Sequence, residues 1–389
     1  APVGMKTRAR FVVQRRQLSC MKRISFPQPP ARRQASDKKK RLRIALLVLC
    51  AVVILFAIGS MVTVKVLYDS SFRRAERPQF SAYLRYDDVP EYDRRIVRFE
   101  SGRNLLTGYL FGEGNEKGLV VIAHGLGGGA ESYLPEIIYF ADQDWTVFAY
   151  DCTGSYASEG EGTVGLAQSL LDLDAALTYI RSNDDLSHLP VMLCGHSWGG
   201  YAVASVLTYD HPITAVVSIA GFNSPMEMVF EQAKGIMGWF AYLEYPFMWA
   251  YQTMLFGKAA WVSAVDGINK TDTPVMIIHG DKDDVISYTG PAIIAHRSKI
   301  TNPNAVYKTC SEEGRNGHSN LFYSEAALKY REKLNEEYNE LYYQYDGDIP
   351  DEVKAAFYAG VDRFLASELD PEFMDNISEF FERALERRS

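Results

Sequence analysis

The chain of 389 residues is 47% hydrophobic and 13% aromatic, enough apolar side chain for one large domain or two ordinary ones. Its net charge of −8 hides two opposite parts: residues 1–43 carry fourteen Lys or Arg against the single acid Asp37, so the remainder carries −21. That acidic remainder has no basic patch, the minimum footprint for nucleic acid, and the five cysteines (Cys20, Cys50, Cys152, Cys194, Cys310) show no zinc-ligand spacing and no disulfide framework.

Residues 1–43 read as a basic arm. Ile44 to Val64 follow, 21 residues without a charge, long enough to cross a bilayer as a helix. Lys38-Lys39-Lys40-Arg41 and Arg43 precede this span, and its far flank is thinner in positive charge. The positive-inside rule then puts the N-terminus in the cytoplasm and the large C-terminal part outside, as a single-pass protein. A cleaved signal peptide, with Ala57-Ile58-Gly59 as a small-x-small site, stays open, although its apolar region is usually only about 7–15 residues. Residues 65–95 are polar, rich in Tyr and Arg and aperiodic, and read as a stalk.

From residue 96 short apolar runs alternate with amphipathic stretches. "IVRFE" (96–100) and "LLTGYLFG" (105–112) predict two antiparallel strands. "GLVVIAHG" (118–125), "WTVFAYD" (145–151), "PVMLCGHS" (190–197), "AVVSIAG" (215–221), "PVMIIHG" (274–280) and "AVYKTCS" (305–311) predict six more, most of them continuous apolar runs of the kind buried on both faces. Helices are expected over 131–142, over 163–182 and from Trp198 to about Tyr209. The pattern predicts an α/β fold with an eight-stranded, mostly parallel sheet flanked by helices. Residues 222–273 break the rhythm with a run of aromatic residues and no strand. They are too long for a loop and read as a helical insertion.

"GHSWGG" (195–200) sits where a buried strand gives way to a helix. G-x-S-x-G at that junction is a nucleophile elbow, which exposes the Ser197 hydroxyl on a sharp turn. Side chains at Gly195 or Gly199 would collide with the neighbouring elements. A serine needs a base, and the base an acid to orient it. "HGDKDDVIS" offers Asp281, Asp283 and Asp284 after a later strand. Asp283 is favoured and Asp284 is the runner-up. "NGHSNLF" then supplies His318 after the last strand. The other histidines have duller readings: His124 and His279 end buried strands, and His196 lies inside the elbow. "AHGLGGGAES" follows the third strand and places the Leu126 amide for an oxyanion, with the amide of Trp198 as second donor. The Trp198 side chain is expected at the pocket floor. No phosphate-loop motif fits.

In order, "HGLGGG", "YDCTGSYASEGEG", "GHSWGG", "HGDKDDV" and "NGHSNL" resemble the α/β-hydrolase superfamily over about residues 96–320, most closely its serine-hydrolase branch with lysophospholipase-like and serine-aminopeptidase-like members. The resemblance implies a helical cap inserted after the sixth strand, matching 222–273. It also implies a triad of Ser197, Asp283 and His318 with oxyanion amides at Leu126 and Trp198, and no metal or organic cofactor. The activity expected is hydrolysis of a small acyl ester or lipid-like substrate, favoured by the aromatic cap. Aminopeptidase or amidase activity, with Glu227, Glu231 or Glu244 reading a terminus, and a non-catalytic binding protein remain the alternatives. The chain departs from the family in its long C-terminus. Residues 324–345 and 350–369 predict two extra helices, and 371–385 predicts a final one with Phe373, Ile377, Phe380, Phe381 and Leu385 on one face.

Overall fold

The computed structural model describes residues 31–387, which divide into two units at Gly59. Residues 31–58 belong to helix α1 (Ala31–Ser71), with side chains such as Leu47, Val52 and Leu55 exposed. Among the described residues this is the one helix long and apolar enough to cross a membrane, over Asp37–Ser71. Of the predicted basic arm, residues 1–30 lie outside the described residues. Residues 31–43 are helical, so the helix overruns the span 44–64 at both ends. Lys and Arg are good helix formers, and nothing in "DKKKRLR" stops a helix.

The second unit holds an eight-stranded sheet in the order β1-β2-β4-β3-β5-β6-β7-β8, where β1 is Arg94–Ser101, β2 Asn104–Phe111, β3 Leu119–Ala123, β4 Thr146–Asp151, β5 Val191–His196, β6 Ile213–Ile219, β7 Val275–Gly280 and β8 Ala305–Cys310. The β1–β2 and β2–β4 pairs are antiparallel and every other pair is parallel. All eight strands coincide with the runs predicted from the sequence.

The helices that matter are α2 (Leu134–Asp142), α3 (Gln168–Ser182), α4 (Trp198–Ser205), α5 (Pro225–Met237), α6 (Ala241–Phe256), α7 (Ala264–Lys270), α8 (Glu325–Gln344), α9 (Asp351–Ala359), α10 (Arg363–Ala366) and α11 (Pro371–Glu386). Alternate strand residues point to opposite faces. Val121, Leu193 and Val216 therefore meet α3, α4 and α7 on one side, while Val120, Met192 and Val217 meet α2 and α11 on the other. This two-faced burial is why the strand sequences are continuous apolar runs. α11 buries Phe373, Ile377, Phe380 and Phe381, the face predicted for a last helix.

Three expectations need correction. Residues 65–95 are not a stalk. Val64, Tyr68 and Phe72 are buried in one core, and Leu84, Tyr86 and Val89 in the other. Arg77 grips the buried Glu131 with two bonds of 2.6 Å, and the Arg74 guanidinium donates to the carbonyls of Tyr156, Ser158 and Gly160. The segment binds through side-chain charges and single aromatic anchors, which leave no periodic signature. The interval 222–273 is likewise not one insertion. α5 and α6 form it, but α7 is part of the sheet layer, where Ala264 and Ile268 are fully buried and a Cβ on Gly267 would stand 2.2 Å from the Ala204 carbonyl oxygen. Finally, 350–369 is two helices, α9 and α10, parted around Gly360 to Asp362. Glycine weakens a helix interior, and Asp362 caps α10 by accepting from the Leu365 amide at 3.0 Å.

Candidate active site

In open α/β sheets, ligands bind at the carboxyl ends of the strands, where the strand order reverses. Here β3 sits between β4 and β5 and is the point of reversal. Ala123 of β3 pairs with Gly195 of β5, so the chain leaving β3 through Gly125-Leu126 and the chain leaving β5 through Ser197-Trp198 emerge side by side.

Ser197 has φ 56° and ψ −112°, a left-handed conformation that a side chain enters only under strain. The strain is held by close packing. A Cβ on Gly195 would lie 2.3 Å from the Gly199 oxygen, and one on Gly199 would lie 2.0 Å from the Ala123 oxygen. Only glycine lets α4 cross β3 and β5 at that distance. The turn leaves the Ser197 side chain half-buried between fully enclosed neighbours.

His318 meets it from the loop after β8. The Ser197 Oγ to His318 Nε2 distance is 2.9 Å, and His318 Nδ1 lies 2.7 Å from Asp283 Oδ2. A proton on Nδ1 donated to the carboxylate leaves Nε2 free to accept from the hydroxyl. Asp283 follows β7 and is buried. Its Oδ1 accepts from the amides of Val285 (2.9 Å) and Ile286 (2.7 Å), which close the turn around it. Burial alone would raise its pKa. Hydrogen bonds from His279, whose Nε2 lies 3.1 Å from Oδ2, and from His318 outweigh burial and hold the carboxyl well below the usual carboxylate range. Asp284 is exposed, and Asp281 is taken up by Asn316 Nδ2 at 2.8 Å.

The amides of Leu126 and Trp198 have no acceptor among the described residues. Leu126 and Ser197 wall one cavity of about 320 Å³, along with Tyr133, Glu136, Phe322 and Tyr323. Two expectations fail here. The Trp198 side chain is not at the floor of this cavity. It is buried beneath α3, with Nε1–H donating to the Leu166 carbonyl at 2.7 Å. A tryptophan at the first helical position points back toward the preceding turn and into the core. The aromatic cap does not line this cavity either. Trp239, Phe240, Tyr242 and Trp261 are exposed, and the walls come from α2 and from the chain just after His318.

His196 was the residue most underrated from sequence. Its Nε2–H donates to the His318 carbonyl at 2.9 Å, and its Nδ1 accepts from the Tyr133 hydroxyl at 2.7 Å. That hydroxyl also accepts the Gly125 amide at 3.0 Å. One chain of bonds thus ties the loop after β3 to the loop carrying the base. Burial, helped by the neighbouring His318, pushes the His196 pKa down to about 3, so the ring stays neutral in this role. The available signal was position: a histidine in a buried turn must find partners for both nitrogens. Among the described residues, no group of three or more His, Cys, Asp or Glu is placed to hold a metal ion.

The sequence model of the serine aminopeptidase S33 family matches residues 114–257. A human monoglyceride lipase is 32% identical over 127 residues, a stretch that spans 33% of this chain and 40% of the lipase. Among solved structures, an esterase of Pyrococcus furiosus is 18% identical, with a TM-score of 0.49 over 70% of this chain and 98% of its own. Est1E from Butyrivibrio proteoclasticus, solved with ferulic acid bound, is 19% identical, with a TM-score of 0.44 over 57% of this chain and 90% of its own. The family match runs from the loop before β3 through the serine turn into α6, the stretch whose strand order and glycine packing build the site. Residues 114–257 thus resemble the serine aminopeptidase S33 family of serine hydrolases, and the sheet around them has the strand order of an α/β-hydrolase fold.

Proposed function

We propose that the chain is a membrane-anchored serine hydrolase that cleaves a small acyl ester or lipid-like ester through an acyl-enzyme. The observation that carries this reading is the relay Asp283–His318–Ser197, with links of 2.7 and 2.9 Å. His318 Nε2 takes the hydroxyl proton as Ser197 Oγ attacks the carbonyl. Asp283 holds the imidazole in the tautomer required and stabilises its charged form. The amides of Leu126 and Trp198 receive the oxyanion, each contributing roughly 10²–10³ in rate. His318 then protonates the departing alcohol, and water activated by the same imidazole releases the acid. The aromatic rings of Tyr133, Phe322 and Tyr323 favour an apolar ester, and the monoglyceride lipase likeness supports the lipid class.

A fluorophosphonate probe tests the reading: wild type is labelled and Ser197→Ala is not. Absence of labelling in wild type, or equal labelling of both, overturns it. The S33 description favours a second reading, an aminopeptidase of the same fold. Turnover of p-nitrophenyl esters compared with aminoacyl anilides separates the two.

Anchoring rests on the uncharged stretch 44–64 within α1, with the N-terminus cytoplasmic and the catalytic unit outside. Protease treatment of intact cells checks the topology. Protection of the C-terminal unit contradicts it.

A further inference from the structure

The last side chain of β7 is His279, and it is fully buried beside the candidate acid. Its Nε2 lies 2.9 Å from the Ile286 carbonyl oxygen and 3.1 Å from Asp283 Oδ2. Its Nδ1 is buried with no hydrogen-bond partner among the described residues. Both neighbours of Nε2 are acceptors, so Nε2 carries the proton and shares it between them, while Nδ1 carries none. A buried nitrogen without a partner is unfavourable, so packing alone does not account for a histidine at this place.

Its surroundings give the ring a second task. Asp283 is met by two donors on each oxygen: the amides of Val285 and Ile286 on Oδ1, and His318 Nδ1 and His279 Nε2 on Oδ2. An ionised carboxylate has about four lone-pair sites, so this one is full. Ile286 closes the clamp from both sides, because its amide donates to Asp283 and its carbonyl accepts from His279. The end of β7 also lies against the chain that delivers the base. A Cβ on Gly280 would stand 2.2 Å from the Asn316 carbonyl oxygen and 2.7 Å from that of Gly317. His279 therefore sits where the acid and the histidine loop meet. A donor on a carboxylate draws on its charge, and Oδ2 is the oxygen that faces His318. Charge drawn by His279 is withheld from the imidazolium that forms when Ser197 attacks.

We propose that His279 is a positioning residue that sets the base strength of His318: its Nε2–H holds Asp283 in place and draws negative charge from the oxygen that His318 Nδ1 bonds. This rests on the relay of Asp283, His318 and Ser197 proposed above.

The titratable groups facing this pair come from four directions. His196, at the end of β5, has its ring centroid 4.9 Å from that of His318, and burial pushes its pKa down to about 3, so it stays neutral. Tyr288, after the turn, meets the His279 ring edge-on at 6.0 Å. Asp281 is taken up by Asn316, and Lys282 and Asp284 of the same turn are exposed. Across the cavity stand Glu136, Tyr133 and Tyr323. Burial raises both tyrosines and keeps them neutral, and it raises Glu136 to about 7. Glu136 is common to every protein compared, so differences between profiles report on residue 279.

The test measures kcat/KM of the full-length protein, His279→Leu and His279→Gln on one p-nitrophenyl ester from pH 5 to pH 9. In wild type the rate falls on the acid side as His318 takes up a proton and stops serving as base. In His279→Leu the charge on Oδ2 returns to His318, so the acid limb moves to higher pH, by about half a unit to one unit. The plateau falls about tenfold as Asp283 loses a donor. In His279→Gln, whose side-chain amide donates at similar reach, the limb moves back and part of the rate returns. A limb that stays in place in His279→Leu, or moves to lower pH, overturns the assignment even where rate and Tm fall, because lost packing lowers both without moving the limb.

NMR of the wild type with ¹⁵N-labelled histidine keeps the proposal testable if His279→Leu does not fold. The expected result is a neutral ring with its proton on Nε2, identified by its absence in His279→Gln, whose signal shifts in step with the titration of His318. A His279 signal that ignores that titration, or a proton on Nδ1, overturns the proposal. Wild type that is labelled by a fluorophosphonate while its acid limb ignores residue 279 removes only the role of His279. Wild type that takes no label and cleaves no ester overturns the hydrolase reading, and the proposal with it.

Discussion

Ser197 and His318 lie 2.9 Å apart, yet two different kinds of structure hold them there. The serine turn is fixed by backbone meeting backbone. Gly195 touches Gly199, Gly199 touches Ala123, and the left-handed Ser197 has no room to relax. The histidine loop is fixed by side-chain amides and rings. Asn320 Oδ1 accepts the Gly317 amide at 2.8 Å while its Nδ2 donates to the Gly314 carbonyl at 2.7 Å, Asn316 holds Asp281, and His196 holds the His318 carbonyl. Damage to the first kind is felt as lost packing throughout the core. Damage to the second shifts one imidazole and leaves the sheet intact. The difference sorts substitutions into those read by melting and those read by turnover.

Gly199→Ala is the largest break expected. Its Cβ would stand 2.0 Å from the Ala123 carbonyl oxygen, so α4 and β3 must part. The expected loss is about 3 kcal/mol or more, seen as a large fall in Tm or the absence of a cooperative melt. A near-native melt for this variant would show that the turn is looser than its contacts imply. Asp283→Asn works in the opposite register. The sheet is untouched, but the amide favours the wrong tautomer of His318. We expect kcat to fall by roughly 10⁴, with a lower Tm as well because the buried carboxylate loses its charge-assisted bonds from His279 and His318, but with the cooperative melt of the sheet retained.

His196→Leu sharpens the contrast because His196 belongs to the serine turn by sequence and to the histidine loop by bonding. Leucine fills the space and removes both bonds, freeing the His318 carbonyl and the Tyr133 hydroxyl. We expect kcat to fall ten- to hundredfold, the scale of a misplaced catalytic group, with KM little changed. His196→Gln, which keeps a donor, recovers part of it. A fall in Tm with kcat preserved would place His196 with the packing and not with the relay.

The same contrast explains what could be read from sequence. Glycines at close crossings and continuous apolar strands are local signals, so the eight strands and the turn at Ser197 were legible, and the chain order of Asp283 and His318 came from the strands. Side-chain bonds between distant segments leave no local mark. Nothing in "RRAERPQFSAYLRYDDV" announces that Arg77 pairs with Glu131, 54 residues away, so a packed segment read as a stalk. Nothing in 131–142 marks Glu136 as buried, and Trp198 reads from sequence as a residue of the pocket floor. Their burial depends on which face α2 and α4 turn to the sheet, set by long-range packing. The exposed aromatic side chains of α6 and of the turns flanking it, Trp239 and Trp261 among them, misled for a related reason: composition marks apolar surface but does not say what it faces.

The smallest effect expected is the most discriminating for the acid. Three aspartates crowd one turn, and the structure gives each a different surrounding. Asp281 accepts from Asn316, and so steadies the loop one step from the base. Asp283 is buried and spends both oxygens, Oδ1 on two amides and Oδ2 on His318. Asp284 is exposed and forms no hydrogen bond among the described residues. The two amides bound by Asp283 are those of Val285 and Ile286, so the turn that brings Asp283 inward is the one that carries Asp284 outward. Exchanging the two roles would require that turn to be remade. Asp284→Asn should therefore keep kcat/KM within about twofold of wild type, as ordinary surface substitutions do, while Asp281→Asn falls between its neighbours. Loss in Asp284→Asn equal to that in Asp283→Asn would mean that the loop turns over in solution and that His318 draws on either acid.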